Sequence, residues 1–228
     1  MDVYTTEEQQ IEAIKKWWQT NGNSVLIGIA LAIAAVLGYQ TWNQNKQANS
    51  EAAAVLYGQV VEAATQADQN RLQGNSEELE GQLATLTHLG EQLKTDFSNS
   101  EYAVFGALML AKEAMLGAKP EEAETQLRWA MEHTVSDATR LIANLRLVRV
   151  LAAQEQYDAA LKALDAVQPG SQADAYEEVR GDIYVAMGEM EQARDAYKKA
   201  MELSAERNEG QSRPILKFKH DNLLVAGN

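Results

Sequence analysis

The stretch from Ser24 to Trp42 constrains this chain more than any other, because no charge falls between Lys16 and Lys46. Its strongly apolar part runs from Val25 to Tyr39 and continues through Gln40, Thr41 and Trp42. At about 1.5 Å per helical residue, that length crosses a hydrocarbon layer roughly 30 Å thick. Lipid offers no hydrogen-bond partners, so every backbone N–H and C=O must be paired inside the segment, which predicts a helix. Trp17 and Trp18 before it, and Tyr39 and Trp42 at its far end, stand where amphipathic rings settle at the two membrane surfaces. A buried core helix would keep one polar face, and this stretch has none. A cleaved signal peptide would need a short basic leader and a small-residue cleavage site. Here the leader carries Glu7, Glu8 and Glu12, and no clean Ala-x-Ala site follows Leu37. The reading is an uncleaved signal anchor. Ala30, Ala34 and Gly38, with Gly28 and Ala32, place small side chains along one side, as close helix–helix contact in lipid requires.

About 180 residues remain beyond the anchor, enough for one domain with a proper core. The first 47 residues hold four acids (Asp2, Glu7, Glu8, Glu12) and three bases (Lys15, Lys16, Lys46), which leaves 29 acids against 17 bases for the rest. Such a domain repels phosphates, which argues against DNA or RNA as a partner. The chain has no cysteine, so disulfides, thiolate metal sites, a cysteine nucleophile and a lipidated N-terminus are excluded. Only three prolines, with abundant Ala, Leu, Glu and Gln, and no useful run of alternating apolar and polar residues, predict an all-α chain.

Residues 5–20 read as a short amphipathic helix before the membrane. Thr5 and Glu8 suggest a capping box, Ile11, Ile14 and Trp18 recur at helical spacing, and Asn21-Gly22-Asn23 is expected to break it. Two lysines precede the span and one follows it, a small bias that puts the N-terminus inside and the C-terminal domain outside the cytoplasm. The expected organisation is a cytoplasmic segment over 1–23, a transmembrane anchor over 24–42 and a helical domain over 43–228.

After polar residues, Ala53, Leu56, Tyr57, Val60, Val61 and Ala64 form an apolar helical face that Gly74-Asn75 ends. Glu77 to Thr95 forms a second helix, with Leu79, Leu83, Leu86, Leu89, Gly90 and Leu93 inward, and the two make a helical hairpin. The chain then repeats itself. One unit runs from Tyr102 through Gly106, Leu110 and Gly117 to Pro120, Ala123, Leu127 and Ala130. A second holds Leu145, Leu147, Val148 and Leu151, then Tyr157, Ala160, Leu164 and Val167. A third holds Gly181, Tyr184 and Gly188, then Ala193, Tyr197 and Ala200. The central alanines are 37 residues apart (Ala123 to Ala160) and 33 apart (Ala160 to Ala193), close to the period of about 34 of a tetratricopeptide repeat. In the third unit Gly181, Tyr184, Ala193, Tyr197 and Ala200 fall on the Gly, Tyr, Ala, aromatic and Ala positions of that repeat. Glu177 stands where the consensus has Trp, and Ala205 where it has the closing Pro. Each hairpin leaves an apolar side bare, so neighbours must stack into an α-solenoid. Gly210-Gln211-Ser212 reads as a loop, and Pro214 to Leu224 as a capping helix with Pro in its first turn.

Residues for catalysis are not found. His88, His133 and His220 have no partner at the spacing of a helical metal site; His220 stands beside Asp221, and adjacent side chains point apart on a helix. Glu121-Glu122 and Glu177-Glu178 read as pairs that begin helices, where acids favour the positive dipole end. There is no Gly-rich phosphate loop and no G-x-S-x-G, so no enzyme activity, metal or cofactor is expected. A stack of hairpins offers a concave surface instead. Its inward positions are expected to include Phe105, Leu108, Lys112, Met115, Leu145, Arg149, Glu178 and Asp182: an apolar end, a basic middle and an acidic end, suited to a peptide or helix of a partner.

These features together resemble a known family. Tyr4-Thr5-Thr6-Glu7-Glu8-Gln9-Gln10, Ile14-Lys15-Lys16-Trp17-Trp18 and Asn21-Gly22, one span and an alanine-rich tetratricopeptide domain are similar to the YfgM-type ancillary subunits of the bacterial Sec translocon. Tyr102 to Leu110, Asn144 to Val150, Arg180-Gly181-Asp182, Lys217-Phe218-Lys219 and Asn222-Leu223 extend the likeness over nearly the whole chain. The resemblance implies a Gram-negative inner-membrane protein with its repeats in the periplasm. It implies association with the SecYEG translocon and with PpiD, a membrane-anchored chaperone, and a task in passing exported client chains to other chaperones. A membrane-anchored regulator whose repeats sequester a signalling protein is the alternative.

Overall fold

The computed structural model describes residues 7–207 and 213–226. Thr5 of the expected capping box and the Gly210-Gln211-Ser212 loop lie outside them. Among the described residues the chain is built of helices joined by short turns, with no strand. It divides into two units, Met1–Glu51 and Ala52–Asn228.

The first unit is the membrane-type segment of α1, a helix that spans Glu7–Gln73. The expected break at Asn21-Gly22-Asn23 does not occur. Asn21 Nδ2 donates to the Trp17 carbonyl at 3.1 Å and Thr20 Oγ1 to the Lys16 carbonyl at 3.0 Å, so these polar side chains are satisfied by the helix itself. Gly22 is buried beneath the Trp18 indole, where an added Cβ would lie 3.2 Å from the ring. Thr41 Oγ1 likewise donates to the Leu37 carbonyl at 2.9 Å. This is the one helix among the described residues long and apolar enough to cross a membrane. The apolar side chains of its 24–42 stretch are not core: Ile27 is 61% exposed and Leu31 66%. Apolar surface that faces outward all along this stretch fits lipid and not water.

In the second unit α1 runs on from Ala52. Gly74, at φ +74°, turns it into α2 (Ser76–Asp96). Ala53, Val60, Ala63 and Ala64 of α1 share a core with Leu86 and Leu93 of α2 and with Ala103 and Leu110 of α3. Small residues on α1 and leucines on α2 fit one another because the alanines leave room for the larger side chains. Three hairpins follow: α3 (Glu101–Leu116) with α4 (Pro120–His133), α5 (Asp137–Ala153) with α6 (Tyr157–Asp165), and α7 (Ala173–Met187) with α8 (Met190–Arg207). The last helix is α9 (Pro214–Ala226). Ser100 Oγ caps α3 by accepting from the Tyr102 N–H, and Ser136 Oγ caps α5 by accepting from the Thr139 N–H, each at 3.2 Å.

The three hairpins repeat in detail. Ala123, Ala160 and Ala193, the central alanines of the sequence alignment, are all fully buried. Each hairpin turns through one left-handed residue two positions before its second helix: Ala118 at φ 55°, Glu155 at φ 59° and Gly188 at φ 81°. A buried polar link ties the second and third hairpins. Tyr176 Oη donates within 2.9 Å of the Leu141 carbonyl and 3.1 Å of Asn144 Oδ1, while Asn144 Nδ2 donates to the Ala163 carbonyl at 3.3 Å. Burial pushes the Tyr176 hydroxyl up to about 12, so it stays a donor at any physiological pH.

The Glu177-Glu178 pair does not begin a helix. α7 starts four residues earlier, at Ala173, and both acids sit inside it. Cations satisfy them in place of the helix dipole: Lys199 lies 2.7 Å and Arg180 3.3 Å from Glu177, and Arg213, just before α9, and Lys219 of α9 are the partners of Glu178. Glu121-Glu122 does stand in the first turn of α4, after Pro120.

Candidate functional site

The exposed side of the first two hairpins forms an open cleft of about 620 Å³ between α3 and α5. Its apolar floor comes from Leu108 and Ala111 of α3, Leu127 of α4 and Val150 of α5. Phe105 and Met115, each 36% exposed, and Leu116, 53% exposed, form its greasy rim. Tyr57 of α1 closes one end, its ring 6.0 Å from that of Phe105 and 5.6 Å from that of Tyr102. These apolar groups stay open to solvent because, among the described residues, no further helix packs over this part of the stack.

Five of the eight groove positions read from the sequence meet here: Phe105, Leu108, Lys112, Met115 and Arg149. Leu145 does not line the cleft; it is 7% exposed, inside the main core with Leu147 and Val148. Glu178 and Asp182 lie elsewhere, on α7 under α9. Arg213 reaches Glu178 at 2.6 Å, and Lys219 reaches Glu178 at 2.9 Å and Asp182 at 2.7 Å. Burial by itself would raise the Glu178 carboxyl, but the bonds and charges of Lys219 and Arg213 outweigh it and hold it below the usual carboxylate range. Burial would lower the Lys219 ammonium, and Asp182 and Glu178 raise it instead.

Of the lining residues that the sequence reading did not place in the groove, Tyr57 and Arg146 bear most on its chemistry. Tyr57 was assigned to the hidden face of its helix. Arg146 was passed over although it stands three residues before Arg149, the spacing that puts two side chains on one helical face. The third cation of the cleft, Lys112, bonds to Asp68 of α1 at 2.7 Å, and this bond is the main cause that lowers the Asp68 carboxyl. Arg71 bridges Asp68 and the buried carboxylate of Glu113 behind it.

Among the described residues no three His, Asp or Glu side chains converge as a metal site needs. His133 stacks on Trp129 with ring centroids 3.9 Å apart, its Nδ1 lying 2.9 Å from the Trp129 carbonyl. His220 and Asp221 do not point apart as adjacent helical residues usually do: His220 Nδ1 is 3.2 Å from Asp221 Oδ1, at the exposed surface. The arrangement offers shape, apolar contact and positive charge, which are means of holding a polypeptide.

Comparison with known proteins agrees with this architecture. The family described as tetratricopeptide repeat-like domain matches residues 15–225. A Neisseria gonorrhoeae protein is 30% identical over 225 residues, which cover 98% of this chain and 100% of the relative. One from Escherichia coli is 26% identical over 86% of this chain and 88% of its own length. One from Haemophilus influenzae is 26% identical over 95% and 97%. Each of the three is named an ancillary SecYEG translocon subunit. No solved structure matches the chain significantly.

Proposed function

The chain belongs to the tetratricopeptide repeat-like family of the ancillary SecYEG translocon subunits, and from that premise we propose that it is a non-enzymatic inner-membrane scaffold of the Sec translocon. One span anchors it with the N-terminus in the cytoplasm, and the helical repeats stand in the periplasm. There the α3–α5 cleft holds a partner protein, and a PpiD-like membrane-anchored chaperone is the first candidate. Exported chains leaving the channel are thereby brought to periplasmic chaperones.

The cleft carries this reading. A solvent-open apolar cleft of about 620 Å³ on a stack of helices, with cations in its lining, is built for protein contact. The relatives' names supply the setting, and the lysines on either side of the span favour the orientation. Purification of the tagged full chain in mild detergent tests it. Recovery of SecY together with a PpiD-like chaperone is expected. Recovery of only a kinase or response regulator overturns the translocon assignment.

A further inference from the structure

The α3–α5 cleft has a charge pattern that a general docking groove does not require. Its lining holds three cations, Lys112, Arg146 and Arg149, and no acid. It does so in a domain where acids outnumber bases 29 to 17. Lys112 is engaged by Asp68. Arg146 and Arg149 are exposed and make no hydrogen bond or ion pair among the described residues. A guanidinium at the edge of an apolar cleft costs little while water covers it. An occupant that removes that water must return a partner, and a carboxylate matches the guanidinium fork best. A basic occupant would meet two desolvated like charges, which selects against it.

The same chain shows how a helix fits this kind of surface. α9 buries Leu216 and Leu223, and it sets Arg213 and Lys219 against Glu178 and Asp182 of α7. An apolar stripe with basic flanks thus covers an acidic pair. The open cleft presents the inverse: an apolar floor with a basic flank, uncovered among the described residues.

We propose that the α3–α5 cleft takes an acidic amphipathic helix of a partner protein, with its apolar side chains on Phe105, Leu108 and Met115 and its carboxylates on Arg146 and Arg149. This rests on the reading of the cleft as a partner-holding groove and adds the partner's chemistry to it. Acidic helices are selected from a background of basic and neutral ones, because only they satisfy both arginines.

The test uses the full chain in detergent micelles and three fluorescent helical peptides, read by anisotropy. One has a leucine stripe flanked by glutamates, one has the glutamates replaced by lysines, and one has the leucines replaced by serines. The acidic leucine peptide is expected to bind about tenfold or more tighter than either other peptide. Its advantage over the lysine peptide should shrink as salt is raised. The double variant Arg146→Glu/Arg149→Glu should weaken the acidic peptide at least about tenfold and reverse the preference. Arg146→Lys/Arg149→Lys should keep most of the binding. Circular dichroism checks folding; if the glutamate pair fails to fold, Arg146→Gln/Arg149→Gln replaces it, with the same loss expected and no reversal.

Equal affinity for the acidic and lysine peptides overturns the proposal, as does undiminished binding by the double variant. Displacement of the acidic peptide by anionic lipid added to the micelles, through the same arginines, assigns the cleft to headgroups and overturns it too. Dimerisation that the double variant abolishes would assign it to a second copy of the chain, with the same consequence. Co-purification of SecY, run in parallel, separates the two readings. If SecY is recovered but the peptides are not discriminated by charge, the acidic-helix proposal alone falls. If the peptides are discriminated but SecY is not recovered, the translocon reading alone falls.

Discussion

Gly181 faces Tyr197 so closely that a Cβ on it would lie 2.5 Å from Cδ1 and Cε1 of the ring. The ring is held on its far side, because Tyr197 Oη donates to Asp182 Oδ1 at 2.7 Å and Lys219 sits 5.8 Å from the ring centre. It cannot swing away freely, so Gly181→Ala should destabilise the repeat domain by about 1–3 kcal/mol in denaturant unfolding. Gly106→Ala meets the Leu93 side chain, Cδ1 at 3.2 Å and Cβ at 3.9 Å, and should cost less. Gly58→Ala, on an exposed helical position with nothing within 4 Å, should stabilise by roughly 0.5–1 kcal/mol. The left-handed turn residues give a paired expectation. Gly188→Ala adds strain of about 1–2 kcal/mol, whereas Glu155→Gly relieves it at the matching place in the second hairpin. Equal unfolding midpoints for these two variants would contradict the equivalence of the turns. Gly181 could be recognised beforehand because the repeat pattern names it. Arg146 could not be singled out, because a charged residue on a helix is most often simply solvated; only the absent partner marks it.

At the level of elements, α9 covers the acidic pair of α7. Its existence was readable from Pro214 and the apolar residues behind it. Its effect was not, because helical spacing tells which face a residue occupies and not what lies on that face. Glu178 and Asp182 therefore looked like an open acidic end and are instead the floor under Arg213 and Lys219. This contact makes α9 docking pH-dependent. The Glu178 carboxyl is held down in the folded chain. Its contribution is thus fully present above its ordinary value of 4.5 and fades as pH falls through the lower folded value. The Lys219 ammonium is raised. Its contribution is present below the ordinary 10.5 and is lost only as pH rises through the folded value above that. Hydrogen exchange should show α9 protected across the neutral range. Protection should drop on acidification below about pH 4.5 while α3 keeps its own. Leu216→Ala, which empties a fully buried site, should release α9 at neutral pH at a cost of about 2–5 kcal/mol to its docking. If α9 and α3 lose protection together in both experiments, the helix is not a separate latch.

The whole molecule joins an apolar helix whose side chains face outward to a repeat domain whose core is complete without it. The order of the parts was legible in the sequence because each has its own periodicity: an uncharged run for the span and a spaced Gly/Ala pattern for the hairpins. The Asn21-Gly22-Asn23 break was misjudged: Asn21 donates back to the Trp17 backbone carbonyl and Gly22 lies under the Trp18 ring, so the helix runs on through residues that often end one. If the span is the tether, charge in its middle should undo attachment and nothing else. An arginine at the centre of a membrane helix costs about 2.5–3.5 kcal/mol. Leu31→Arg combined with Ala34→Arg should therefore lose most of the driving force for insertion and move the chain into the alkaline-soluble fraction. The repeat domain's thermal midpoint should not change, because neither residue belongs to its core. Leu72→Arg, at a position 89% exposed near the end of α1, adds the same charge outside the span and should leave the chain in the membrane. Retention of the doubly substituted chain after alkaline extraction would put the attachment in the repeat domain, and the cleft would then have to be reconsidered as a membrane-facing surface.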